Sequence, residues 1–199
     1  MENLLAVIEI KDLLVRERYY RDRQQWAKLR QCYHSDPSKT QIKISWYSGD
    51  INGFIAGSQK MALSSGNASH TISPVEVHLN GDRAVSESTG TILARFTHER
   101  RVYDCVSYGQ FISRLERENS KWKLLSLEVI YDKDLIQPVL PEAAMNTISL
   151  DPAWRPSYQC LTWVLSKNGF SIDQTLPGTD VGGSGERQIA ACLNWLEDI

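Results

Sequence analysis

A carboxylate set among small and aromatic residues on a strand is a candidate acid or base, and Glu128 is the clearest case in this chain. The stretch Tyr103–Asp132, YDCVSYGQFISRLERENSKWKLLSLEVIYD, reads as two antiparallel strands joined by a turn near Glu118-Asn119-Ser120. Side chains alternate faces along a strand. Pairing Arg117 with Trp122 across the turn then puts Ser113 opposite Ser126 and Phe111 opposite Glu128. One face of the ribbon becomes small, polar and acidic between Phe111 and Trp122; the other carries Ile112, Leu125, Leu127 and Val129 and suits dry packing. Burying a carboxylate costs several kcal/mol unless it is paired or protonated. A Glu128 so placed would have a raised pKa and could take a proton from carbon or give one to a leaving hydroxyl. The other reading of Glu128 is a wet sheet surface, and a bulge in the second strand would flip every residue beyond it.

A second group of candidates lies where the first helix ends, in RERYYRDR: Glu17, Tyr19, Tyr20 and Asp22 can reach the mouth of a cavity there, while most of the arginines read as a solvated face. Tyr20, Tyr47 and Tyr108 are hydroxyls able to hold an oxyanion or a ketone, although Tyr108 falls on the outer face of the register above. Arg95 reads either as an anion-binding group or as a surface ion pair. The histidines His34, His70, His78 and His98 show no HxH or HExxH spacing, and no Ser or Cys sits in a nucleophile motif. The run Gly182-Gly183-Ser184-Gly185 lacks both the preceding strand and the following Lys of a phosphate loop. The expected chemistry therefore uses no metal and no cofactor: proton transfer in a shielded pocket.

The elements that must position these groups follow from periodicity. Residues 3–33 read as helix with a break near Asp22-Arg23, Gln41–Trp46 as a short strand, and Ile51–Ala62 as a helix with Phe54, Ile55, Ser58 and Met61 inward. A loop at Ser64–Asn67 precedes strand segments at His70–Ile72 and Val75–Leu79, the Asn80-Gly81-Asp82 turn, and a long strand Ala84–Phe96 that leads into the hairpin. A proline-rich strap (Leu135–Pro152), a helix (Tyr158–Asn168), a flexible loop (Leu176–Gly185) and a last helix (Glu186–Glu197) complete the chain. The pattern is α+β: a curved mixed or antiparallel sheet wrapped around N-terminal helices as a cone, with a C-terminal helical extension. Residues 1–135 form the expected cone domain, and residues 136–199 a strap and extension packing on it or on a neighbouring subunit.

Composition agrees with one such domain. The 199 residues are 42% hydrophobic and 23% charged, with a net charge of -2 that offers nothing to nucleic acid. No apolar run is long enough to span a bilayer, the start MENLLAVIEIKDLL is too acidic for a signal sequence, and four scattered cysteines read as reduced thiols. A cytoplasmic protein is expected.

Several segments resemble the SnoaL-like branch of the nuclear transport factor 2-like superfamily: EIKDLLVRERYYRDRQQWAKLRQCYHSD its first two helices, WYSGDINGFIAG the entry to its third, VEVHLNGDRAVSES its Asn-Gly-Asp-Arg-Ala hairpin, and YGQFISRLERENSKWKLLSLEVIYDKD its closing hairpin. The resemblance covers roughly residues 3–135, and the tail is similar to that of longer members. It implies the cone fold, a small-molecule pocket and a homodimer or homotrimer, but the fold serves dehydratases, isomerases, cyclases and non-enzymatic binders alike. The scytalone dehydratases use a helix Asp, two strand histidines and tyrosines. Anchored on Trp26, Asp22 matches that Asp, His70 the first histidine, and Trp46 lies near a tyrosine position. The second histidine is not matched, its place falling near Ala94, and the Ser and Asn of the closing hairpin fall near Gly109 and Phe111. An Asp beside an imidazole fixes its tautomer, so Asp22 and His70 are expected to act as a pair. The expected catalytic set is Asp22, His70 and Glu128, with Tyr20, Trp46, Tyr47, Phe54, Tyr108 and Phe111 around the substrate. The expected function is a cofactor-independent lyase, isomerase or cyclase acting on a small apolar oxygenated metabolite; the competing expectation is a non-catalytic ligand-binding module or an accessory subunit of a larger oxygenase.

Overall fold

The computed structural model describes residues 2–64, 68–140 and 148–198. Most of the expected loop at Ser64–Asn67 and the middle of the proline-rich strap lie outside the described residues. Helix α1 (Glu2–Asp22) ends where the apolar pattern stops, and Gln24, at φ 55°, turns the chain into α2 (Trp26–Cys32). The buried residues of α1 are Ala6, Ile10, Leu14, Glu17, Arg18 and Arg21. That is one helical stripe, apolar at first and charged over its last two turns.

Strand β1 (Gln41–Ile44) pairs antiparallel with β2 (Tyr47–Gly49), so the expected strand closes two residues early and turns through Ser45-Trp46. After α3 (Ile51–Ser64) come β3 (Ala68–Asn80), β4 (Arg83–His98), β5 (Arg101–Glu118), β6 (Lys121–Leu124) and β7 (Ser126–Pro138). The two expected segments of β3 are one strand, its register shifting between Pro74 and Glu76. The sheet order is β2-β1-β7-β5-β4-β3, with β6 also on β5 and β1 parallel to β7. The sheet is therefore mixed and curved, with the N-terminal helices on its concave side.

One residue decides what the central hairpin presents. Arg117 does pair with Trp122, as expected, but Leu125 is an extra residue between β6 and β7. Its N–H donates to Arg114 O at 2.8 Å, and beyond it Ile112 pairs with Glu128 and Phe111 with Val129. The bulge flips the side chains of β7 from Ser126 to Tyr131, and a second register shift, between Tyr108 and Gly109, restores the expected alternation from Lys133 on. Leu127, Val129 and Tyr131 join Phe111 and Trp122 in the inner core, while Ile130 packs outside with Ile112 and Val85.

Two C-terminal helices cover opposite faces. Helix α4 (Gln159–Lys167) brings Leu161, Val164 and Leu165 into the inner core, and α5 (Ser184–Glu197) lays Cys192 and Leu196 over Val85, Ile112 and Ile130. The patch expected to be a dry outer face is thus divided: Leu127 and Val129 turn inward, and Ile112 lies under this chain's own α5. The loop at Leu176–Gly185, expected to be flexible, is tied to β7, since Tyr131 N–H donates to Pro177 O and Thr179 N–H to Tyr131 O, each at 3.0 Å. All four cysteines are buried and unpaired. Among the described residues no helix is long and apolar enough to cross a membrane.

Candidate active site

Between α1, the concave face of the sheet and α4 lies a cavity of about 290 Å³. Most of its wall is apolar: Trp46 from the β1–β2 turn, Phe111, Leu127 and Val129 from the sheet, and Leu161 and Val164 from α4. Phe111 can lie across β4 because Gly90 has no side chain; a Cβ there would stand 2.7 Å from the Phe111 ring and 2.7 Å from Thr71 O. The polar side chains in this wall include His70, Arg18, Arg21 and Tyr131.

His70 projects from β3 and is held by the last residue of α1. One carboxylate oxygen of Asp22 accepts the His70 backbone N–H at 2.7 Å, and the other sits 2.7 Å from Nδ1. A carboxylate only accepts, so the proton of the neutral ring is on Nδ1 and Nε2 carries the lone pair. Burial, aided by the charge of Arg21, pushes the His70 pKa down to about 4. The ring is therefore a free base at neutral pH. Burial opposes the charge of Asp22, but its hydrogen bonds from His70 and the nearby Arg21 outweigh this and hold its pKa below the ordinary value.

The two arginines differ. Arg18 is clasped through Nε and Nη2 by both oxygens of Glu17, which also accepts from the Tyr33 hydroxyl at 3.0 Å. Arg21 lies 3.6 Å from Asp22 through Nη1 and 3.9 Å from Met61 Sδ through Nη2, and its buried Nε has no partner among the described residues. On the far wall the Tyr131 oxygen accepts the Ser45 N–H at 3.0 Å, and burial raises the phenol's pKa, so it keeps its proton for a ligand. Neither the buried arginines nor Tyr131 stood out in the sequence. The signal for the arginines was their i, i+3 spacing in line with Ile10 and Leu14; Tyr131 was hidden by the bulge.

Of the expected site residues, His70, Trp46 and Phe111 line the cavity and Asp22 stands directly behind His70. Glu128 does not line it. The flip at Leu125 turns Glu128 outward under α5, where it meets Gln188, Arg114 Nη2 at 3.5 Å and Cys192 Sγ at 3.9 Å. Tyr108 is also outside, with Lys133 Nζ 5.7 Å from its ring centre. Tyr20 sits away from the cavity under Lys28 Nζ, and the Tyr47 hydroxyl donates to Asp50 O at 2.8 Å. Phe54 is fully buried one layer back, stacked 5.6 Å from Trp46. Arg95, at the rim, forms a two-armed pair with Asp104 at 2.8 Å in each arm. No cluster of His, Cys, Asp or Glu able to hold a metal ion occurs among the described residues.

The fold has many solved counterparts. A putative scytalone dehydratase from Novosphingobium aromaticivorans superposes with a TM-score of 0.58 at 16% identity, over 74% of this chain and 97% of that one. A type 2 hexachlorocyclohexane dehydrochlorinase gives 0.52 at 16% identity, over 73% and 97%. At these identities the likeness concerns the fold. In sequence, the pea pathogenicity protein 2 of Fusarium vanettenii is 26% identical over 166 residues, 80% of this chain and 69% of that protein. The profile of the SnoaL-like domain matches residues 2–128, through both helices of the opening and the sheet as far as β7. With that match over most of its length, and the cone and its cavity in place, the chain belongs to the SnoaL-like domain family.

Proposed function

We propose that this protein is a cofactor-independent lyase or isomerase whose base is His70, working on a small, largely apolar, oxygenated molecule. The observation that carries the reading is the Asp22–His70 pair, buried and set in the wall of an apolar cavity. A neutral imidazole with its tautomer fixed by a carboxylate is a competent general base. In the first step His70 Nε2 takes a proton from a carbon next to a carbonyl; the C–H electron pair forms a C=C bond as the carbonyl π pair moves onto the oxygen, giving an enolate. The Tyr131 hydroxyl is the donor suited to that oxygen. From there, return of the proton to another carbon gives an isomer. Departure of a β-hydroxyl, which leaves as water with the proton held by His70, gives a dehydration; attack of the enolate carbon on a second carbonyl, whose π pair moves onto its oxygen and takes the proton held by His70, gives a cyclisation. Two structural neighbours are named for eliminations, which fits this class.

The common first step can be measured without knowing the natural substrate. In deuterated buffer, 2-tetralone exchanges its α-protons, and NMR follows the rate. The native protein should accelerate exchange well above buffer, and His70→Ala should return it to the buffer rate while circular dichroism stays native. Exchange that is no faster than buffer with the native protein, or undiminished by His70→Ala, would remove this function.

A further inference from the structure

Among the described residues that line the cavity, the arginines are closely matched with one exception. Arg18 is neutralised by Glu17, and Arg95 at the rim by Asp104. Asp22 spends both oxygens on His70 at 2.7 Å, which leaves Arg21 only the longer 3.6 Å approach. Arg21 is 9% exposed. Its other contacts include a thioether sulfur and the Phe54 ring, whose centre is 6.0 Å from Cζ, both weak partners for a guanidinium, while the Glu17 carboxylate is taken up by Arg18. Its Nε is buried without an acceptor. A buried guanidinium with five N–H donors and, among the described residues, no hydrogen-bonded oxygen beyond the 3.6 Å approach to Asp22 is a costly arrangement, and such sites are where charged ligands find their partners.

We infer that the cavity selects ligands bearing an anionic oxygen, in the form of a carboxylate, and that Arg21 receives it beside His70. The inference deepens the function proposed above and rests on it for the identity of the site. A guanidinium meets a carboxylate in two parallel hydrogen bonds, which fixes the ligand's orientation as well as its place. The apolar walls then take the remainder of the molecule. A ligand anion also opposes the charge of Arg21 that helps hold the His70 pKa down. Binding would therefore strengthen the base at the moment it is needed.

Calorimetry with a matched pair of two-ring probes tests this: 2-naphthoate, ionised at pH 7.5, against 2-naphthamide, its neutral counterpart of the same shape. The native protein should bind the carboxylate about ten-fold or more tighter, the size of one charge-assisted hydrogen-bonded contact. In Arg21→Gln the preference should vanish while the amide still binds, which also reports that the cavity is intact. Arg21→Lys, which keeps the charge and loses the fork, should keep only part of the preference. Equal affinities in the native protein, or a full preference surviving in Arg21→Gln or Arg21→Lys, would overturn the inference. Binding is read without turnover, so a protein that fails to exchange 2-tetralone but prefers the naphthoate loses the base and keeps the arginine role. The reverse result does the opposite.

Discussion

Asp22 holds His70 at two points, through the backbone N–H and through Nδ1, each at 2.7 Å, and so ties the end of α1 to β3. The double grip fixes the tautomer and the angle of the ring together. The amide introduced by Asp22→Asn can turn its NH2 toward Nδ1, which moves the ring proton to Nε2 and removes the lone pair that the base needs. Exchange of 2-tetralone should fall by about 100-fold or more, within the range general-base catalysis supplies. The far-ultraviolet dichroism should be unchanged. A variant within a few-fold of native exchange would mean that the pair is structural.

The same buried ring links stability to pH. Its folded pKa, pushed down to about 4 by burial and then by Arg21, lies below the value of about 6.5 expected in the unfolded chain. Between those values the unfolded chain binds a proton that the folded chain refuses. The stability this reflects is whole above about pH 6.5 and drains away as the pH falls to about 4, on the order of 3 kcal/mol in all. Asp22, also held below its ordinary pKa, extends the loss in the same direction at lower pH. Urea midpoints at pH 7.5 and pH 4.5 should fall further for the native protein than for His70→Ala; equal falls would show that the imidazole is not the group involved.

What could be read from the sequence follows the reach of local rules. The break after Asp22, the Asn80-Gly81 turn and the Arg117–Trp122 register depend on short-range chemistry, and each is present. The Asp22–His70 pair was legible through a resemblance that anchored both residues on Trp26, though 48 positions separate them. Leu125 was not legible. Nothing in KLLSLEV marks which residue is extra, because Leu-Leu-Ser-Leu fits a regular strand as well as a bulged one. One unpaired residue then exchanged Glu128 for Val129 and Tyr131 in the cavity wall. The arginines of α1 were missed for a different reason: a charged helix end reads as solvated until α3 and the sheet are known to close over it.

Glu128 tests that reassignment directly. It lies under α5, between Gln188 and Arg114, and lines no part of the cavity. Glu128→Gln should leave 2-tetralone exchange within about two-fold of native, because no reacting atom comes near it. It should weaken the seat of α5 by about 1–3 kcal/mol, the usual cost of disturbing a buried charged hydrogen bond, seen as a lower urea midpoint. Loss of exchange in a fully folded variant would restore Glu128 as a catalytic group and put the β7 register in doubt.

Tyr131 is the polar residue that the flip of β7 turns into the cavity wall, two positions beyond the Val129 that faces Phe111, and its hydroxyl can be removed with almost no change of shape. Its oxygen already accepts from Ser45 N–H, so its own proton is left for a ligand in the cavity. Tyr131→Phe leaves that N–H without its acceptor, at a cost of about 1–3 kcal/mol in stability. If the phenol steadies the enolate oxygen, exchange should also drop by about 100-fold, as when one donor to a developing oxyanion is removed. The two effects separate by pH and temperature: at 10 °C and pH 7.5, with the variant fully folded, only the second remains. Native exchange under those conditions would confine Tyr131 to the wall and assign the oxygen to another donor.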